Sequence, residues 1–588
     1  MRPLDAKPAE MLAVSQAFND AAWDEGTGLL REPGRPHLHT VRGTAWSALG
    51  WLMRDGPGDR ARAELALERV LAQQFVPAGQ PFDGTFARYI EETKPGTGAQ
   101  MWRDYDPNWR QFIGTIFAMV LIEFPGALSG DLRSRLEGAI VRAVEGEQAH
   151  GRLTAGYTNI ALMHAFLLDF AGSRVGKPEW ESEGLDLAEA IHARYAPDSS
   201  FEEFNSPTYY GVDLYGLALW RTHGSSARLR ALGAAMEGGL WRDIGRFYHA
   251  GLRNLCGPFD RAYGMDMTRY VSLVGGWMAL VSGLQEAPLP DPSKPMVHGH
   301  DFGCLPSYAL PGAEVPDDVL EHLVAFQGER TLRRSITEER TATAWLSESV
   351  MFGGEHTSRT RGVEGPRSQF TPATVHWRLP DGGVGWIRLV GARVVDVVAS
   401  TGRLEVTGEG DFRFEVECGG GTADIDRELW KLPGLRLRAE SDADEFEVVE
   451  RGVVYRGATE VALAVGSLVT HIRCPFSTCP GWTGRRGTLL GWAVGGGGWF
   501  PSSPAPSPAT GEGVWLVCTV WWGGVPGSPH PLPLLPRRGR VVGWGGRCGG
   551  VPGSPHPLPL LPRREKGSGW CGRCGGVGGR LPGEPSAY

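Results

Sequence analysis

No apolar run in this 588-residue chain reaches the ~18 residues that span a bilayer, which argues against a membrane-crossing helix. The opening stretch, MRPLDAKPAEMLAVSQAFND, lacks the apolar core of a secretory signal, so a cytoplasmic location is expected. Cysteine is sparse in the first 473 residues. Cys256, Cys304 and Cys418 stand alone there, so no disulfide framework is expected, in keeping with a reducing compartment. There is no basic excess either: 59 Lys and Arg face 67 Asp and Glu, a formal charge of −8 that argues against a nucleic-acid partner. His37 and His39, in RPHLHT, have the spacing of metal ligands but no carboxylate companions, and they read as surface-loop residues. No metal or other cofactor is expected.

Acidic residues nearly vanish after about Cys474. Residues 474–588 hold 11 Lys and Arg but 3 Asp and Glu, with Gly, Pro and Trp in excess, which leaves the first 473 residues more acidic than the whole. GGVPGSPHPLPLLPRR occurs at 523–538 and again, unchanged, at 549–564. A structural repeat drifts while keeping its core positions; this one keeps everything and shows no helical or strand period. A recent duplication or a wrong reading frame explains it better than a fold. Its alternatives are a proline-rich docking segment and, at Cys571 and Cys574, half of a zinc site with no second pair nearby. The expectation is a disordered tail.

What the chain does contain, before that tail, is two blocks of different period. Through residue 335, segments such as NWRQFIGTIFAMVLIEF, YTNIALMHAFLLDFAG and SARLRALGAAMEGGLWRDIGRFYH carry apolar residues three and four apart, with Gly or Pro between them. The stripes are broad, as in helices packed on two sides. From 336 to 473 the period is two. ATVHWRL, RVVDVVAS, RLEVTGEGDFRFEVE and VALAVGSLVTHI alternate and are joined by Gly and Asp turns, which predicts an antiparallel β-sandwich whose last strand runs straight into the tail. The length suits about three to four domains of ~150 residues, or fewer if one large toroid absorbs several.

One helix start carries more chemistry than capping needs. In PDSSFEEFNSPTYYG (197–211), Ser206 and Pro207 make a good helix opening. Glu202, Glu203, Asn205, Tyr209, Tyr210 and Asp213 remain unexplained. This segment resembles the D-G-S-x-x-E-x-S-P-x-Y stretch of the heparinase II/III and alginate lyase group of polysaccharide lyases, and GYTNIALMHAF (156–166) resembles that group's earlier Asn-bearing helix. The likeness runs over roughly residues 30–470. It departs at Ile160, where the group often has His after its Asn. The resemblance implies an incomplete (α/α) toroid followed by an antiparallel β-sandwich, a catalytic Tyr209 and a carboxylate-binding Asn159. It also implies a uronic-acid-containing glycan as substrate.

The chemistry of such a lyase sets requirements. It removes the proton beside a uronate carboxylate and expels the glycosidic oxygen, so it needs a base, an acid and a partner for the carboxylate. Tyr209, near the positive end of a helix, would have its phenolate eased, and Asp213 follows one turn later. His249 and Arg253 would share a helical face, and Arg261 and Tyr263 lie in the polar stretch RNLCGPFDRAYGMD (253–266). Asn159, Tyr209, His249, Arg253 and Tyr263 are expected to converge on one cleft. Of these, Asn159, Tyr209, His249 and Tyr263 are the expected catalytic residues; Arg253, Asn205, Tyr210, Asp213, Arg261 and Trp109 are expected to bind substrate, with Trp102 and Trp109 as stacking platforms. Each has a plainer alternative: core aromatics for Tyr209, Tyr210 and Trp109, a turn residue for Asn205, a backbone partner for Asn159, a helix-end pair for His249 and Arg253. Two rival functions stay open. A toroid glycoside hydrolase would pair carboxylates among Glu202, Glu203, Asp213, Asp260 and Asp266. A non-catalytic sugar-binding protein would show aromatics without titratable groups.

Overall fold

The computed structural model describes residues 4–466. The expectations for the segment after residue 474 lie outside the described residues.

Helices come first. Val41–Arg54, Trp109–Glu123, Thr158–Val175, Tyr209–His223 and Leu273–Ser282 each pack on the next, and Ala6–Ala22 touches both the first and the last of this series. Asp59–Leu71, Gly130–Gln148, Pro178–Tyr195, Ala227–Phe247 and Asp317–Val324 form an outer layer. This is the (α/α) toroid. Its inner helices are covered on most sides: Ile160 through Leu168 are all buried, which is why their apolar stripes are broad in the sequence. Close approach needs small residues. A Cβ on Gly211 would meet Leu273 at 2.4 Å, and one on Gly216 would meet Leu162 at 2.6 Å. Trp220 Nε1–H donates to the Leu162 carbonyl and Trp277 Nε1–H to that of Gly211, both at 2.8 Å, tying neighbouring inner helices together.

Several elements differ from their expected limits. RPHLHT is a strand, not a loop: Arg35–Thr40 pairs with Leu29–Glu32, which pairs with Trp23–Asp24. It is too short and too polar to show a period of two. The helix Tyr209–His223 begins two residues after Pro207, although Ser206 Oγ still accepts the Tyr209 N–H at 2.9 Å. Ala227–Phe247 ends at an extended Tyr248, so His249 lies in a two-residue strand and Arg253 in the following turn, at φ 51°.

The remainder is one antiparallel sheet curled into a β-sandwich-like, nearly closed domain. Its first strand, Arg330–Ser335, precedes the change of sequence period, because its polar residues hide the alternation. The last described strand, Glu460–Val465, is interior and pairs with both Arg403–Glu409 and Leu435–Ser441. Free-standing strands alternate; Val394–Ser400 is buried at every second residue. Val350–His356 and Ala373–Arg378 are instead buried on both faces, because they lie against the helical domain. There Cys256 Sγ contacts the Phe352 carbonyl and the Gly257 N–H donates to Thr374 Oγ1.

Candidate active site

The inner helices begin at the same end of the toroid. Arg42 and Trp46, Trp109 and Phe112, Asn159 and Ile160, Tyr209 and Val212, and Leu273 come from the N-terminal turns of five helices, and all line one cavity of about 880 Å³. The sheet domain closes a wall with the loop 362–369. Five helix N-termini direct their positive dipole ends here. Arg35, Arg42, Arg88, Arg261 and Arg367 add side-chain charge, against Asp106, Asp301 and Glu364. An acidic chain therefore carries a cavity suited to anions.

A tyrosine pair lines it. The hydroxyls of Tyr209 and Tyr263 are hydrogen-bonded and their rings meet edge to face at 5.9 Å. The Arg261 guanidinium lies 3.9 Å from the Tyr209 ring centre. Arg261 Nη1 pairs with Glu203 Oε1 at 2.8 Å and Nε donates to Gln369 Oε1 at 2.9 Å. Glu203 takes a second hydrogen bond from the Asn159 amide. One carboxylate thus orients both the arginine and the asparagine.

Burial pushes the Tyr209 phenol well above its ordinary value, and Tyr263 adds to this, while Arg261 opposes. Tyr263 is raised too, by burial, with Arg261 and Tyr209 working the other way. The resting pair is therefore neutral. This corrects the expectation of an eased phenolate: the helix dipole is real, but desolvation outweighs it.

Of the eleven residues singled out for a lyase site, the structure brings Asn159, Tyr209, Tyr263, Arg261, Trp109 and Trp102 to the cavity and places the other five elsewhere. His249 Nε2–H donates to the Ser347 carbonyl at 2.8 Å, and its ring stacks on Phe326. Arg253 is spent on the Ala287 carbonyl. Asn205, at φ 51°, bonds the carbonyls of Cys256 and Pro258 and acts as a clamp between segments. Tyr210 is fully buried against Phe204. Asp213 faces the core with neither carboxyl oxygen hydrogen-bonded, and burial pushes its carboxyl well above the usual carboxylate range. The expected five-residue convergence is corrected in the same way, because the helix that would have carried His249 and Arg253 ends first. Trp109 has Arg42 stacked 5.1 Å from its ring, so that stacking site is partly taken. Trp102 lines the cavity at φ 69°, a strained conformation for a tryptophan.

The expected carboxylate pair is not assembled. Glu202 pairs with Arg194 at the surface. Asp260 is held by Arg340 and Arg361, and Asp266 by Thr268 and Asn254. None of Glu202, Glu203, Asp213, Asp260 and Asp266 lines the cavity. The expectation that His39 has no carboxylate companions is corrected: the strand pairing and the turn at 91 place it between Glu91 at 2.5 Å and Asp24 at 3.1 Å. Sequence reading missed Arg42, Arg88, His298, His300 and Asp301. The run HGHD (298–301) was the signal available for the last three.

Two family descriptions match the chain: Domain of unknown function (DUF8769) over residues 9–312, and Domain of unknown function (DUF8770) over residues 328–462. No curated protein matches. Among solved structures, one described as Crystal Structure of Heparinase III is 10% identical with a TM-score of 0.41, the match covering 80% of this chain and 86% of that one. A mutant of the Streptomyces coelicolor A3 Chondroitin AC Lyase is 12% identical with a TM-score of 0.37, covering 79% and 80%. Likeness at this level does not reach activity.

Proposed function

The chain belongs to the family described as Domain of unknown function (DUF8769), a description that assigns no activity, and from the cavity we propose a polysaccharide lyase acting on a uronic-acid-containing glycan. The observation that supports this is the Tyr209–Tyr263 hydroxyl pair beside Arg261, in a cavity that gathers five helix N-termini.

The pair first loses one proton to solvent. The resulting phenolate takes the proton beside the uronate carboxylate, a carbon–carbon double bond forms, and the glycosidic bond breaks. The same phenol then gives that proton to the departing oxygen, which returns the pair to its singly ionised form, and a proton from solvent restores the neutral resting pair. Asn159 keeps one N–H beyond its bond to Glu203, and Arg261 keeps Nη2. These two donors, with the dipole ends, neutralise the carboxylate as charge develops.

One observation favours a hydrolase instead: burial raises the carboxyl of Asp106, at the cavity wall, as a general acid requires. A panel of polyuronates separates the readings. Elimination raises the ultraviolet absorbance of the unsaturated uronate product, and Tyr209→Phe lowers that rate about 10²–10⁴-fold. New reducing ends without absorbance, lost in Asp106→Asn, would replace the lyase by a hydrolase. A full rate in Tyr209→Phe would remove Tyr209 from the reaction.

A further inference from the structure

We propose that His298, His300 and Asp301 bind a divalent transition-metal ion on the wall of this cavity. This inference stands apart from the lyase reading, since it concerns binding alone.

The three side chains come from one short stretch. His298 has φ 54°, a left-handed conformation unusual for this residue, and directly precedes the 3-10 helix Gly299–Cys304 that carries His300 and Asp301. One ligand atom from each lies within 4.8 Å of the others. All three residues line the cavity. Their existing contacts are poor as hydrogen bonds. His300 Nε2 stands 3.4 Å from Asp301 Oδ1, and His300 Nδ1 stands 3.4 Å from Glu32 Oε1. Both are long for a charge-assisted bond. A separation of about 3.4 Å is, however, the edge of a tetrahedron whose metal–ligand bonds are ~2.1 Å. His300 Nε2 and Asp301 Oδ1 are therefore spaced as two ligands of one ion.

The surroundings supply an outer shell. Glu32 is almost wholly buried and sits on the far nitrogen of His300, as a carboxylate does behind a metal-bound imidazole. His298 stacks on Tyr263 at 4.5 Å, which fixes the plane of its ring. Among the described residues neither of its nitrogens has a hydrogen-bond partner. Arg42 reaches Asp301 Oδ1 at 3.5 Å, with its guanidinium also held 4.5 Å from the Trp46 ring. It approaches the same Oδ1 that the ion would use, at a separation too long for a strong bond, and Glu32 offsets its charge.

Two imidazoles and one carboxylate favour an ion of the zinc type over calcium or magnesium. Three protein ligands leave a position facing the cavity, the arrangement of a site that exchanges water for a ligand.

The test uses the full chain, stripped with chelator and titrated with Co²⁺ and then Zn²⁺. A visible Co²⁺ band that zinc abolishes, at one equivalent, is expected. His298→Ala with His300→Ala should remove that equivalent, and Glu32→Gln should weaken it about 10–100-fold. Asp301→Asn, close in shape, guards against misfolding of the double variant and should also weaken binding, with circular dichroism unchanged. Absence of the band in the parent chain would overturn the proposal. So would a band that all the variants retain, or one with the thiolate charge-transfer absorption that would place the ion on cysteines beyond residue 473.

Discussion

At the scale of single residues, the tyrosine pair decides what pH the proposed reaction needs. Both phenols are held above their ordinary value, so neither ionises below the ~10 of a free tyrosine. A reaction that begins with loss of one of these protons should still be accelerating at pH 9.5, a point about half a unit under that value. Tyr263→Phe removes a hydroxyl that raises Tyr209. The rising limb of the pH–rate profile should then move to lower pH, while the maximal rate changes less than in Tyr209→Phe. Profiles of kcat/KM for the three proteins check this; a plateau reached near neutrality in the parent would contradict it. The residue scale is also where sequence reading was weakest. Tyr209 and Asn159 were legible because each opens a helix within a distinctive run. Asp213, four residues from Tyr209, looked equivalent and faces the core. Only the rotation of the helix within the ring separates the two.

At the scale of elements, the junction between helices and sheet is held by neutral histidines. Burial lowers His249 and His376 to about 4, and His164, inside an inner helix, to about 4 as well. His249 Nε2–H donates to the Ser347 carbonyl, and His376 Nε2–H to that of Met265, each across the junction at 2.8 Å. In the unfolded chain these imidazoles take up protons near 6.5. Between about 6.5 and about 4 the unfolded state therefore binds more protons, and stability falls as pH drops through that window. His39 acts in the opposite sense. Burial disfavours its charge, but Glu91 and Asp24 raise it, so its contribution is present below ~6.5 and lost above. Burial also lowers His223, His298 and His322, so six groups against one leave a net loss on acidification. Denaturant titrations at closely spaced pH values should show stability declining from pH 6.5 to 4.5, ahead of most carboxylates, whose ordinary values lie near 4. A flat profile over that interval would mean these histidines are not neutral in the fold.

At the scale of the whole molecule, one buried ionic cluster joins the two halves. Arg340 Nη2 meets Asp260 at 3.0 Å and its Nε meets Glu355 at 2.9 Å, while Arg361 reaches Asp260 at 2.6 Å. Asp260 belongs to the helical part, and the two arginines and Glu355 to the sheet part. Glu355 is fully buried and burial raises its carboxyl, with Arg340 opposing. Arg340→Met takes the near partner from buried Glu355 and leaves Asp260 to Arg361 alone, and should cost about 3–5 kcal/mol, read as a lower midpoint in thermal or denaturant unfolding. Arg340→Met with Glu355→Gln should recover part of that loss. A single variant as stable as the parent would show that the cluster does not hold the halves together.

The sequence by itself determined the succession of helices and then strands, because the periods 3.6 and 2 are local properties that side chains display whatever they pack against. Its broad apolar stripes also indicated helices packed on two sides, and its Ser-Pro opening placed Tyr209 in a first helical turn. Tertiary structure alone decided the rest. Which helix ends meet follows from the direction in which the inner helices run, and that direction gathers five positive dipole ends into an anion-suited cavity within a chain of net charge −8. His249 and Arg253 left the site because Ala227–Phe247 stops at Tyr248, a choice made by strand pairing rather than by helix propensity. His298, His300 and Asp301 came to the cavity beside Tyr263 through loops that carry no period to read. Glu203 acquired its role only when Asn159 and Arg261, 44 and 58 residues away, folded onto it. Those contacts depend on closure of the ring, which no local pattern encodes.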